Sequence, residues 1–252
     1  KGDVYRFNSA GWANLYIPYN MNEILEKING KLIVSCQAND DINPFHSPEE
    51  MLKMAQAGKI GGCVGFRANR PENVKIIKEA FPDMPMIGIW KVVTEGCDVY
   101  ITPTMKEVDV LREIGSDIIA VDGTDRYNCE GKKAYELIRE IKEKYPDQLV
   151  MADIATINDA RKCVEAGADI ISTTLSGYTE DSKDRYALGA DFELIKEIRK
   201  EFPDAFINAE GRLWTREEAK HALECGANFI VIGTAITNPM SITKRFVDYI
   251  NL

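Results

Sequence analysis

From Lys31 onward the chain alternates short apolar, β-branched runs with longer amphipathic stretches, the rhythm of βα units feeding a parallel sheet. Eight runs read as strands: 31–37 (KLIVSCQ), 63–68 (CVGFRA), 85–91 (PMIGIWK), 117–123 (DIIAVDG), 148–154 (QLVMADI), 169–175 (DIISTTL), 205–210 (AFINAE) and 228–233 (NFIVIG). They are nearly continuous apolar runs, as expected of strands covered on both faces. Helix signals fill the gaps. Ser47-Pro48-Glu49-Glu50 sets a capping serine, a first-turn proline and a reciprocal glutamate ahead of an apolar stripe at Met51, Leu52, Met54 and Ala55, and the pairs Thr104/Glu107 and Thr215/Glu218 repeat that capping box. Gly61, Gly115, Gly167 and Gly226 read as helix ends. Eight units close more naturally into a ring than into an open sheet, and no GxGxxG follows the first strand. The predicted fold is therefore α/β: a single-domain (β/α)8 TIM barrel over residues 21–252.

Residues 1–20 stand apart. Tyr5, Phe7, Trp12, Tyr16 and Tyr19 crowd a segment with no helical or strand period, whereas Met21 opens the helical pattern that runs to Ile28. The expectation is an N-terminal extension foreign to the natural chain, with Met21 as the natural start, the alternative being an ordered extension of the chain itself; mass spectrometry of the native protein would check it. Segment 97–103 (CDVYITP) reads as an extra strand or loop between the third strand and its helix, on the face where barrels keep their chemistry. It could serve there as a lid or pocket wall, or be a plain surface excursion.

A chain of 252 residues matches the roughly 250 that such a barrel needs. A net charge of -9 argues against a nucleic-acid partner, which recruits a concentrated basic surface. A small phosphorylated ligand stays open, because a few local donors decide its affinity. The six cysteines, Cys36, Cys63, Cys97, Cys129, Cys163 and Cys225, show no CxxC pair and no zinc-like spacing, and His46 and His221 show no pairing with them. They read as buried free thiols of a reducing compartment. No apolar run is long enough to span a bilayer and no signal-peptide pattern is visible, so the expectation is a cytoplasmic protein with no membrane contact.

The candidate chemistry lies in the last residues of the strands: Gln37, Arg67, Lys91, Asp122, Asp153, Thr173 with Thr174, Glu210 and Gly233. All but the last are polar, and they collect at the barrel end where catalysis occurs. Singly, most have an ordinary structural account. Arg67 with Asp122 or Asp153 would make a rim ion pair, Gln37 a loop tether, and the threonines satisfied strand residues. Lys91 and Glu210 are harder to account for that way, since each ends an apolar strand and faces desolvation that structure alone rarely requires. Their strands are four apart in a ring of eight, so the two could address opposite faces of one substrate carbon, as a stereochemical inversion by proton removal and return would want. A phosphate site reads from the loops after the last two strands. Glu210-Gly211-Arg212 and Gly233-Thr234-Ala235 bring glycines where backbone amides can approach an anion, Arg212 adds a bidentate charge, and Asn238-Pro239 reads as a helix start with free amides. Gly177 is a candidate third loop.

With these residues in place the sequence resembles the N-acetylmannosamine-6-phosphate 2-epimerases of bacterial sialic acid and amino-sugar breakdown. The resemblance is carried by Ile33-Val34-Ser35-Cys36-Gln37-Ala38, Gly65-Phe66-Arg67-Ala68-Asn69, Ile87-Gly88-Ile89-Trp90-Lys91, Tyr100-Ile101-Thr102-Pro103-Thr104, Met151-Ala152-Asp153-Ile154, Thr173-Thr174-Leu175-Ser176-Gly177-Tyr178-Thr179 and Ala209-Glu210-Gly211-Arg212. It implies interconversion of N-acetylmannosamine 6-phosphate and N-acetylglucosamine 6-phosphate without metal or organic cofactor. It also implies Lys91 as the catalytic lysine, Gln37, Arg67, Asp153 and Glu210 on the sugar, glycine loops with Arg212 on the phosphate, and a homodimer. One departure is visible: Trp90 and Val92 flank Lys91, where many relatives carry a smaller apolar residue before the lysine and a basic one after it.

The chemistry agrees with the residues. Carbon 2 of the open-chain sugar is next to the aldehyde, so its proton can leave to give an enediol or enolate and return on the other face. For a lysine base, burial lowers the pKa while a nearby Glu210 raises it, and the sequence leaves open whether Lys91 alone or Lys91 with Glu210 moves the proton. Two rivals stand beside this reading: an aldolase in which Lys91 forms a Schiff base with a sugar phosphate, and a non-catalytic sugar-phosphate sensor.

Overall fold

The structure, a computed structural model, describes residues 6–8, 11–13, 19–37 and 43–251. Tyr5 and Tyr16 of the aromatic run and Ala38 of the first motif lie outside the described residues. A two-stranded antiparallel ribbon, β1 (Arg6–Asn8) and β2 (Gly11–Ala13), precedes helix α1 (Tyr19–Ile28). The helical pattern expected from Met21 to Ile28 is the body of α1, which starts two residues earlier; the ribbon was not expected, because three-residue strands are too short to show a period.

Eight parallel strands then close a barrel: β3 (Leu32–Cys36), β4 (Gly65–Asn69), β5 (Met86–Ile89), β6 (Ile118–Asp122), β7 (Leu149–Asp153), β8 (Ile170–Ser172), β9 (Phe206–Glu210) and β10 (Phe229–Ile232), with β10 pairing β3 to seal the ring. The helices between them are α2 (Pro48–Ile60), α3 (Pro71–Ala80), α4 (Met105–Glu113), α5 (Ala134–Lys144), α6 (Ile157–Ala166), α7 (Phe192–Glu201) and α8 (Arg216–Glu224). After the last strand come the short α9 (Thr234–Thr237) and α10 (Pro239–Ile250). The three expected capping boxes form at Ser47/Glu50, Thr104/Glu107 and Thr215/Glu218, and a fourth closes between Thr156 and Asp159. At the end of α2 the left-handed residue is Gly62, at φ 96°, and not Gly61, which stays right-handed.

The period of two along each strand sorts the core into two bodies. Val34, Cys36, Phe66, Ala68, Val121, Val150 and Ala152 face outward and pack with the helices. Ile33, Ile87, Ile89, Ile118, Ala120, Leu149, Met151, Ile170, Phe229 and Val231 face inward and fill the barrel with apolar layers. Continuing the inward parity toward the carboxyl ends passes through Ser35 and Gln37, Arg67 and Asn69, Lys91, Asp122, Asp153, Ser172 and Thr174, Asn208 and Glu210, and Gly233. One end of the apolar plug is thus capped by polar groups, and this is what positions the site.

Four cysteines, Cys36, Cys63, Cys163 and Cys225, are buried as expected; Cys97 is half-buried and Cys129 exposed, which corrects the uniform reading. The thiol of Cys225 also lies 3.5 Å from His221 Nε2, one helical turn away, a pairing that sequence reading had missed. Burial pushes that thiol up, so the neighbour does not make it a thiolate nucleophile.

Candidate functional site

A cavity of about 550 Å³ opens at the carboxyl ends of the strands, within the range of small-molecule sites. Of the candidate residues, Gln37, Arg67, Lys91, Thr174, Glu210, Gly211, Arg212, Gly233, Thr234 and Asn238 line it, and Asp153, Thr173 and Gly177 do not. Asp122 also stays outside the lining, paired with Arg126 at 2.8 Å.

Arg67 is the centre of the site and is not on the rim. It lies mid-strand with its side chain 1% exposed, and its guanidinium reaches across the barrel to two carboxylates. Nη2 donates to Asp153 Oδ2 at 2.6 Å, and Nη1 donates to Asp153 Oδ1 at 3.2 Å and to Glu210 Oε2 at 2.5 Å. Burial alone would lower the proton affinity of Arg67, but Asp153 and Glu210 outweigh it and raise it. Asp153, itself fully buried, therefore acts from behind the arginine and does not touch the cavity. A chain of small polar groups closes the other side. Thr174 Oγ1 donates to Asp153 at 2.7 Å, Ser172 and Thr174 hydroxyls meet at 2.7 Å, and Asn208 Nδ2 donates to Ser172 Oγ at 2.8 Å and to Glu210 Oε2 at 3.3 Å. Ser172 and Asn208 were missed in the sequence, although they sit two residues before Thr174 and Glu210 and share their inward parity.

Thr173 lies in a 3-10 turn, Thr173–Leu175, beyond β8, not at a strand end. It is buried, and its hydroxyl brackets the Glu210 backbone, donating to the carbonyl at 3.1 Å and accepting from the amide at 3.3 Å. It fixes the Glu210 backbone.

Lys91 and Glu210 enter the cavity from β5 and β9, four places apart in the ring of eight. Burial, and then the Arg67 charge, push the Lys91 ammonium below its ordinary value of 10.5 despite Glu210 and Asp153, so burial wins the contest the sequence left open. Glu210 moves the other way. Burial and the Asp153 charge outweigh Arg67 and Lys91 and push it up to about 7. The site holds a base made weaker and an acid made weaker, which face one another across the cavity.

On the phosphate side, Gly211 sits at φ 107° and Arg212 at φ 55°, a left-handed pair in which glycine relieves the first position. The Arg212 guanidinium lies 5.3 Å from the ring centroids of both Tyr178 and Tyr186. Its Nε donates to Gly189 O at 2.6 Å and Nη1 to Ser176 O, which leaves Nη2 without a hydrogen-bond partner among the described residues. Gly177 does not offer its amide to a ligand: the N–H donates to Ser182 Oγ at 2.9 Å. Its φ of 84° and the approach of Tyr186, 2.8 Å from where a Cβ would stand, explain the glycine instead. The helix start at Asn238 is capped by its own side chain, which accepts from Ser241 N at 3.0 Å. The first amides of α9, at Thr234 and Ala235, have no partner within their helix and lie next to Gly233. Tyr100, Tyr178, Tyr186 and Trp214 also line the cavity; loop aromatics carry no period by which the sequence could have placed them there.

Comparison with known proteins follows the same lines. The model of the N-acetylmannosamine-6-phosphate epimerase family matches residues 51–252. A Caldanaerobacter subterraneus protein assigned the name N-acetylmannosamine-6-phosphate 2-epimerase is 49% identical over 228 residues, covering 90% of this chain and 94% of that one. A Listeria welshimeri protein of the same name is 42% identical over 227 residues, covering 90% and 95%. The solved structure of the N-acetylmannosamine-6-phosphate 2-epimerase from Clostridium perfringens is 43% identical with a TM-score of 0.83, covering 89% of this chain and 95% of that one. A thiamine phosphate pyrophosphorylase from Pyrococcus furiosus, at 16% identity and a TM-score of 0.59, shares the fold alone. The family match, the relatives and the fold agree: the chain belongs to the N-acetylmannosamine-6-phosphate 2-epimerase family.

Proposed function

We propose that the protein interconverts N-acetylmannosamine 6-phosphate and N-acetylglucosamine 6-phosphate by removing and returning the proton on carbon 2, with Lys91 and Glu210 on opposite faces of that carbon. The observation that carries this reading is the entry of these two groups into one cavity from strands four apart. Each has the proton affinity shifted toward neutrality that such an exchange needs. Arg67, wedged beside Glu210, supplies positive charge for the enolate oxygen that develops when the proton leaves. The Gly211–Arg212 turn and the α9 amides are the proposed phosphate seat. The family names favour this epimerisation over the Schiff-base aldolase reading.

Three further readings belong to the same proposal. The enzyme serves sialic acid and amino-sugar breakdown, it works in the cytoplasm, and it is a homodimer. Among the described residues no helix is long and apolar enough to cross a membrane, and α10 carries an apolar face with no buried residue.

In heavy water the enzyme should convert N-acetylmannosamine 6-phosphate into product deuterated at carbon 2. Lys91→Ala should lose turnover by the roughly 10²- to 10⁴-fold that a positioned general base supplies, while still binding the sugar phosphate. Full activity in Lys91→Ala would sink the reading.

A further inference from the structure

The strand that carries Lys91 ends before it does. β5 stops at Ile89, so the parallel ladder no longer holds the lysine and other groups must. Asn69 Oδ1 accepts the Lys91 N–H at 2.9 Å. On the far side, Val92 N–H donates to Tyr100 O at 2.9 Å, and Thr102 N–H donates to Trp90 O at 2.9 Å. These are the two bonds that flank a non-hydrogen-bonded antiparallel pair, here Lys91 opposite Ile101. The segment read from sequence as an extra strand or pocket wall is therefore a one-bridge strand laid against the lysine.

In a regular antiparallel ladder the next bond would run from Trp90 N–H to the Thr102 carbonyl. It runs instead to the Thr102 hydroxyl, Oγ1, at 3.2 Å. Thr102 stands at φ 45°, outside the β region that a ladder residue adopts, where the chain enters Pro103 and the Thr104 cap of α4. A β-branched residue avoids this region, and strain of this kind persists only where the surroundings impose it. Thr102 is fully buried. Glycine would relieve the backbone but offer no acceptor, and valine would fill the space but leave the Trp90 N–H unsatisfied.

We infer that Thr102 is a positioning residue for Lys91: its left-handed backbone and its hydroxyl together fix the Trp90 peptide and so aim the lysine into the cavity, while Asn69 fixes the lysine's own amide. This rests on the reading of Lys91 as a proton-transfer group. The charged groups that face Lys91 are Arg67 from β4, Asp153 from β7 and Glu210 from β9. A lysine released from the bridge moves relative to all three and toward water.

The test uses Thr102→Val, Thr102→Gly and Thr102→Ser, with two readouts: kcat and KM on N-acetylmannosamine 6-phosphate, and the pH midpoint for reductive methylation of Lys91 followed by mass spectrometry. The valine and glycine variants should lose about tenfold or more in kcat with KM changed by less than about threefold, and the serine variant should stay within about threefold of wild type. The methylation midpoint should rise toward the ordinary 10.5 in the valine variant and return in the serine variant. Asn69→Ala should move both readouts the same way, and it decides the matter if the valine variant fails to fold. Wild-type kcat with a wild-type methylation midpoint in either Thr102→Val or Asn69→Ala would overturn the inference. If Lys91→Ala keeps full turnover, the proton-transfer reading falls by itself, and the methylation midpoint still decides whether Thr102 places the lysine.

Discussion

The proposed proton chemistry rests on two inward positions near the ends of apolar strands. Glu210 is pushed up to about 7 because burial and Asp153 outweigh the cations beside it, and Lys91 is pulled below 10.5 chiefly by burial. A proton passed between them requires the pair to hold one proton in total. Below about 7 both groups are protonated and no base remains; above the lowered lysine value both are deprotonated and no acid remains. The kcat/KM profile should therefore be a bell, rising through about 7 and falling at a pH below 10.5, whereas a lone lysine base would give a profile that only rises. Glu210→Gln keeps the shape and cannot titrate. It should erase the limb near 7 and leave residual exchange that climbs with pH, at a turnover lower by about 10²-fold or more. A wild-type profile that rises monotonically would remove Glu210 from the proton transfer and leave Lys91 as the single base.

Elements were legible in the sequence where their signal was local. Apolar runs placed all eight barrel strands to within two or three residues, and the Ser/Thr-x-x-Glu pairs placed three helix starts, because a cap is a contact between residues three apart. Polar strand ends likewise exposed Lys91, Arg67 and Glu210. Depth was not legible: nothing in the sequence distinguishes Arg67, buried mid-strand, from a rim arginine, or tells that Asp153 stands behind it. Loop roles were harder still, since the 3-10 segment Glu180–Leu188 has no apolar period and its contact with Arg212, through Tyr186, is long-range. Gly177 therefore read as a third loop of the phosphate site, whereas its amide donates to Ser182 and its positive φ lets the Tyr186 backbone approach. Gly177→Ala combines a positive φ with a contact on the Tyr186 backbone, so it should displace that loop. The expected result is a KM for the sugar phosphate raised about tenfold, with Lys91-dependent deuterium exchange preserved at saturation, as for a change in binding and not in chemistry. An unchanged KM would show that the loop does not bear on the phosphate seat.

At the scale of the whole molecule, the barrel buries its core, while α10 leaves an apolar face open among the described residues. Phe246, Val247, Tyr249 and Ile250 are exposed on it, 67%, 48%, 79% and 77% respectively, and no residue of the helix is buried. An apolar helix face of this kind needs a cover, and for a homodimer the self-complementary two-fold contact is the commonest solution. The same helix is tied to the site: Arg245 stacks 4.1 Å from the Trp214 ring, and Trp214, Asn238 and Ser241 line the cavity. Covering α10 should thus do two things at once, burying the apolar face and steadying one wall of the cavity. Sedimentation equilibrium should return twice the chain mass of 28.3 kDa. Phe246→Asp with Tyr249→Asp should shift the protein toward monomer and raise KM by about threefold or more, because the wall that holds Ser241 and Trp214 loses its support. The glutamate stands on β9 and the lysine just beyond β5, neither on this helix, so the pH limbs of the monomer should match those of the dimer. A wild-type protein that sediments as a monomer at high concentration would end the proposal, and a dimer insensitive to both substitutions would place its contact on another face.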